Sequence, residues 1–155
     1  MDDNYFEFDE TPYDTSPVAS VKEAVLAFVA AYDGFRRDVA DFYSEYHTTI
    51  RAALYRPVKN IYSDSPAISI FEIGIQYFPK EDSIGVYAVN ENKLDEALRF
   101  REHDLYVLFA GEDGLLDPIE ILIKDFLQEE DLPENIYNPA MKFLNETRRL
   151  KAMLT

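Results

Sequence analysis

Apolar residues between positions 20 and 57 recur at Val21, Val25, Phe28, Tyr32, Phe35, Val39, Phe42, Tyr46 and Ile50, in steps of three and four. Such spacing is one face of a helix, and it predicts a single long helix that stops before Pro57. Ser20 and Glu23 have the S-x-x-E spacing of a capping box, which sets the expected start. Gly34 costs a helix about 1 kcal/mol against alanine. The apolar phase passes through it unshifted, so any bend is expected there and not a hairpin. Phe28, Tyr32, Phe35, Phe42 and Tyr46 are broad, flat side chains that suit packing on the chain's own sheet. The other use of such a face is as the seam of a homodimer, although paired seams favour Leu, Ile and Val.

The pattern changes after residue 66. Phe71, Ile73, Ile75 and Tyr77 alternate with Glu72, Gly74 and Gln76, and period two predicts a strand over residues 67–78. A five-residue connection at 79–83 and a second strand at 84–89 complete a hairpin. Residues 90–102 read as a helix, 105–110 (LYVLFA) as a short buried strand, and Asp117-Pro118-Ile119-Glu120 as a capped helix start. The core face of that helix is Ile119, Leu122, Ile123, Phe126 and Leu127. Asn138-Pro139 repeats the device before a last helix through Met141 and Leu144, with Arg148, Arg149 and Lys151 near its end. The predicted fold is an α+β domain in the order α-β-β-α-β-α-α. Its sheet has about three, mainly antiparallel, strands covered by helices.

Length and composition agree with one globular domain over residues 18–155, preceded by an arm at 1–17. The arm mixes acids with Tyr5, Phe6, Phe8 and Tyr13, a combination that predicts docking, on its own domain or on a partner. Cysteine is absent, so neither disulfides nor thiolate metal sites can form. The first residues lack a basic and apolar leader, and no apolar run approaches the roughly 20 residues that span a bilayer. A cytoplasmic protein is expected.

Charge narrows the function. Thirty acids face fifteen bases, for a net −15. The excess is concentrated: six acids and no base in residues 1–20, thirteen acids and four bases in residues 91–131. Such a surface repels nucleic acid and anionic membrane and attracts basic proteins.

Motifs that would fix a reaction are missing. The five glycines, at 34, 74, 85, 111 and 114, cannot be arranged as either phosphate-binding loop. His47 and His103 have no partner at metal-ligand spacing. Glu112-Asp113-Gly114 with Asp117 lacks the alternating ligands and closing Glu of a calcium loop. No serine elbow is present. Glu72 is the one acid expected mid-strand, where a solvent-facing role competes with a catalytic one. No catalytic residue, metal or cofactor is assigned.

What remains is interaction. Glu112, Asp113 and Asp117, then Glu129, Glu130 and Asp131, with Asp9 and Glu10 of the arm, are the expected partner-binding acids. Charge would steer a basic partner and aromatics would anchor it. The expected function is a non-catalytic inhibitor of immunity-protein, antitoxin or nucleic-acid-mimic type. A chaperone or adaptor that binds a segment of a secreted or partner protein through apolar surface is the second expectation. A carboxylate-dependent enzyme is the third.

Overall fold

A computed structural model describes residues 17–61, 64, 66–81 and 83–155. The arm's residues 1–16, with Asp9 and Glu10, lie outside the described residues. The elements run α1 (Pro17–Val39), α2 (Ser44–Tyr55), a 3-10 turn (Ile70–Ile73), β1 (Ile75–Lys80), β2 (Ser83–Val89), α3 (Glu91–Phe100), α4 (Glu102–Ala110), α5 (Leu116–Phe126) and α6 (Glu134–Leu154). The chain is thus a mixture of six helices and a two-stranded antiparallel sheet among the described residues.

The long helix is two helices. α1 passes straight through Gly34, whose position touches nothing. It ends at Val39, and residues 40–43 turn the chain before α2 begins at Ser44. The turn sends the second half of the apolar stripe elsewhere. Tyr43 and Tyr46 pack edge-on against Phe126 of α5, with ring centroids 5.0 and 5.1 Å away, while Phe42 is left 82% exposed. Helix α1 starts at Pro17, so Ser20 lies inside it and is not the expected cap.

The aromatic face of α1 is filled by its own chain. Phe143 of α6 sits among Phe28, Tyr32 and Phe35, with centroids 5.6, 5.5 and 5.3 Å away. Phe28 also meets Phe109 of α4, and Phe35 meets Phe126. These rings are almost completely buried. A cluster of this kind contributes both transferred apolar area and favourable ring geometry, with each ring pair adding about 1 kcal/mol. The face therefore packs chiefly on α6, with β2 beside it, and the small sheet is not its main floor.

Several strand and cap expectations change for local reasons. Residues 70–73 wind into a 3-10 turn because Ser69 and Glu72 close a capping box on each other's backbone. Gly74 ends the turn at φ 103°, where a Cβ would lie 2.6 Å from the Asn90 carbonyl oxygen. Only then does β1 begin, so the hairpin is real but shorter than alternation implies. Pairing continues to Lys80 opposite Ser83, which tightens the expected five-residue connection.

Residues 105–110 are the core of α4, not a strand. Leu105, Leu108 and Phe109 are its buried residues, at helical spacing. A run of six apolar residues fits either element by pattern alone, and the preceding Glu102, His103 and Asp104 supply the extra length a helix needs. The predicted third strand is thereby lost. Finally, Leu116 opens α5 and places Asp117 in the first turn instead of at the cap. Pro133 is the N-cap of α6, so Asn138-Pro139 falls inside that helix. The helix at 90–102 is α3 as expected, with Asn90 Oδ1 accepting the Lys93 N–H.

Candidate functional site

The acids predicted to bind a partner fall into separate groups. Asp117 and Glu120 on the first half of α5 face α6, where Lys151 approaches Asp117 at 2.6 Å and Arg148 approaches Glu120 at 2.9 Å. Asp117 in turn raises the pKa of Lys151. This edge is charge-balanced. Glu112 and Asp113 are exposed in the turn between α4 and α5. Arg56 donates to the backbone carbonyl of Asp113 at 2.8 Å, so the turn is pinned while both carboxylates stay clear of any ion pair among the described residues. Glu129, Glu130 and Asp131 follow the other end of α5 and are exposed. Twelve residues separate Asp117 from Glu129, roughly 18 Å along a helix. The predicted acids therefore do not form one patch.

The α1–α2 turn brings further acids to the second group. The Tyr46 hydroxyl lies 3.2 Å from both Asp125 and Glu129 and donates its one proton between them. Partial burial, and then these two carboxylates, push the Tyr46 pKa up to about 12. Since Tyr43 and Tyr46 are held on Phe126, the intervening Glu45 and the adjoining Asp41 and Phe42 are carried to the same end of α5. Asp41, Glu45, Asp125, Glu129, Glu130 and Asp131 are all exposed. None of the six is ion-paired among the described residues. Here an exposed phenylalanine stands among uncompensated carboxylates. Sequence reading missed Asp41, Phe42, Glu45, Tyr46 and Asp125, because a continuous helix would have put Phe42 and Tyr46 in the core.

Other polar clusters have structural partners. Arg36 is 2% exposed and donates to the Ile84 and Gly85 carbonyls and to Asp33, with its guanidinium 4.7 Å from the Tyr87 ring centroid. Burial, and then the bond to Tyr55, drive the Tyr87 pKa upward, while burial above all pushes Tyr32 to about 12. These phenols stay protonated near neutral pH and offer no nucleophile. His47 is held below its usual pKa by burial first and then by Arg51 and Arg36. His103 Nδ1 lies 3.0 Å from Asn60 Nδ2, which also donates to Asp104. That contact ties the segment after α2 to α4. Glu72 is exposed and engaged with Ser69.

Among the described residues no group of three or more His, Asp or Glu side chains is arranged to hold a metal ion, and no helix is long and apolar enough to cross a membrane. Comparison with protein-family models, with curated proteins and with solved structures finds no match to this chain.

Proposed function

We propose that this protein is a non-catalytic binder that masks a basic surface on another protein, in the manner of an immunity protein, an antitoxin or a mimic of nucleic acid. The observation that carries this reading is the contrast between the two ends of α5. The α6-facing acids are neutralised within the chain. At the other end, Asp41, Glu45, Asp125 and Glu129 have no ion-paired cation among the described residues and stand with Phe42, which is 82% exposed. Carboxylates left without cations raise encounter rates with a cationic partner. An exposed aromatic beside them supplies the desolvated anchor that converts an encounter into a complex. The net charge of −15 opposes direct binding of nucleic acid or an anionic membrane and fits work in the cytoplasm on a protein partner. Glu130 and Asp131 extend the surface, and Glu112 and Asp113 form a separate acidic edge.

The test is retention of basic proteins on the immobilised chain, with elution by rising salt. At 0.15 M ionic strength the screening length is about 8 Å, so an interaction carried by this surface weakens markedly above that concentration. The retained species should be lost from a chain carrying D125N, E129Q and F42S. Retention that ignores both salt and these substitutions would overturn the proposal.

A further inference from the structure

The two edges of the hairpin are treated differently. Along β2, α1 takes the place of a neighbouring strand: Asp33 accepts the Tyr87 N–H at 3.0 Å, and Arg36 and Arg37 donate to the Gly85 carbonyl at 2.6 and 2.8 Å. On the outer side of β1 no strand pairs among the described residues. The Asn90 N–H bonds the Gly74 carbonyl at 2.7 Å, which sets 76/88 and 78/86 as hydrogen-bonded pairs of the hairpin. Alternation then points the N–H and C=O groups of Ile75 and Tyr77 away from β2. Pro79 has the same parity, and there its missing N–H takes nothing from the ladder. A groove follows this edge, lined by Tyr55, Phe71, Ile75, Tyr77, Phe78 and Lys93. Phe71, Tyr77 and Phe78 are 37, 39 and 48% exposed. An open, partly apolar edge is a template for another strand.

We infer that two copies of the chain meet along this edge, β1 pairing antiparallel with β1 of the second copy about a two-fold axis at Gln76. The occupant is a second copy because the strand complements itself in that register. Ile75 falls opposite Tyr77 of the other copy on each side of the axis. The four outward amides, of Ile75 and Tyr77 twice over, then meet the four outward carbonyls. Pairing ends ahead of Pro79, whose N–H is never called on. A register centred on Tyr77 would instead set Ile75 against Pro79 and leave the Ile75 carbonyl without a donor.

Side chains agree with the same register. On one face the β-branched Ile75 stands across from Tyr77, a favourable cross-strand pair. On the other, Phe78 comes level with Gly74, which has no side chain to compete for the space. Lys80 at the end of one β1 arrives beside the turn that carries Glu72 of the other copy. Lys80 has no ion partner among the described residues, and Glu72 is exposed and engaged with Ser69. Symmetry makes each of these contacts twice. Residues 56–90 carry four acids against three bases, so the acid excess lies elsewhere on the chain. One short strand from each copy is a small interface, which calls for a dimer that forms only at raised concentration. The inference does not rest on the partner-masking function, which uses none of these residues.

Sedimentation of the full chain tests this, from about 1 µM to about 1 mM, and should pass from single chains to dimers. Q76K sets two like charges directly opposite each other at the axis and should raise the dimer dissociation constant by about tenfold or more. Its urea midpoint at low concentration should match that of the unmodified chain, which shows that the hairpin still folds. Register is read by cross-linking, since the chain has no cysteine of its own. With oxidised glutathione as oxidant, Q76C should link to its own copy at least about tenfold faster than F78C, because residue 76 alone lies opposite itself at disulfide distance. A chain that stays single at about 1 mM overturns the inference. So does a dimer that ignores Q76K, or equal linking of Q76C and F78C, because the copies would then meet through another face.

Discussion

The Asp33 carboxylate accepts the backbone N–H of Tyr87 at 3.0 Å while holding the guanidinium of Arg36 at 2.8 Å. One side chain thus closes the edge of a strand and partners a buried cation 2% exposed. Burial works to raise the pKa of Asp33. The Tyr87 N–H and Arg36 outweigh it and hold the carboxyl below its usual value. Its folded pKa is therefore lower than its unfolded one. The stability it contributes is present above the ordinary carboxylate range and is lost as pH falls through the folded value. Urea denaturation of D33N at neutral pH should show a loss of about 3 kcal/mol, since Arg36 is left buried without its counter-charge. The variant should also lose part of the acid sensitivity of the unmodified chain. An unchanged acid limb would show that Asp33 is not its source.

Phe143 should be the most sensitive core position. It touches three aromatic rings of α1 and is fully buried. F143A removes those contacts and leaves a cavity, at an expected cost of about 4 kcal/mol in denaturant titration. F143L, which keeps most of the volume, should cost much less.

Gly85 carries a φ of 80°, and a Cβ there would lie 2.6 Å from the Tyr77 hydroxyl and 2.7 Å from the Phe78 carbonyl oxygen. The hydroxyl can swing away, but the carbonyl belongs to the paired strand. G85A is expected to lower stability by about 2 kcal/mol and to speed exchange of the ladder amides. Gly34 is the control: it is helical with open space around it, so G34A should stabilise the chain by about 1 kcal/mol.

Phe42 separates binding from folding. At 82% exposure its truncation should change stability by no more than about 0.5 kcal/mol. F42S should nevertheless weaken the salt-dependent retention of basic proteins by about tenfold or more. A matched loss of stability would instead place Phe42 in the fold.

Much of the fold could be read from residue order where one signal was enough. The alternation into Ile75 and Tyr77, and the spacing of Ile119, Ile123 and Phe126, each pointed to the element that forms. Two failures have one physical origin. Local periodicity reports which side of a segment is apolar, but not where the segment stops meeting something to pack on. Phe42 is in phase with Phe35 and Val39, yet α1 ends at Val39 and the chain turns towards α5. LYVLFA is apolar all round, and its neighbours decide in favour of a helix. The candidate surface shared that blindness. Glu129, Glu130 and Asp131 were visible as a charge run, but their companions Asp41, Glu45 and Asp125 come from distant segments. Nor could charge alone reveal that Lys151 neutralises Asp117.

The seam between α1 and α6 has a bearing on how the molecule is made. Its halves are separated by nearly the whole described chain, so the rings of α1 lack Phe143, the ring that touches all three, until α6 has been synthesised. Closing so large a loop delays the central packing to a late step of folding. Until then the emerging polypeptide presents Phe28, Tyr32 and Phe35 to its surroundings, and translation up to residue 133 yields a species with an open aromatic flank.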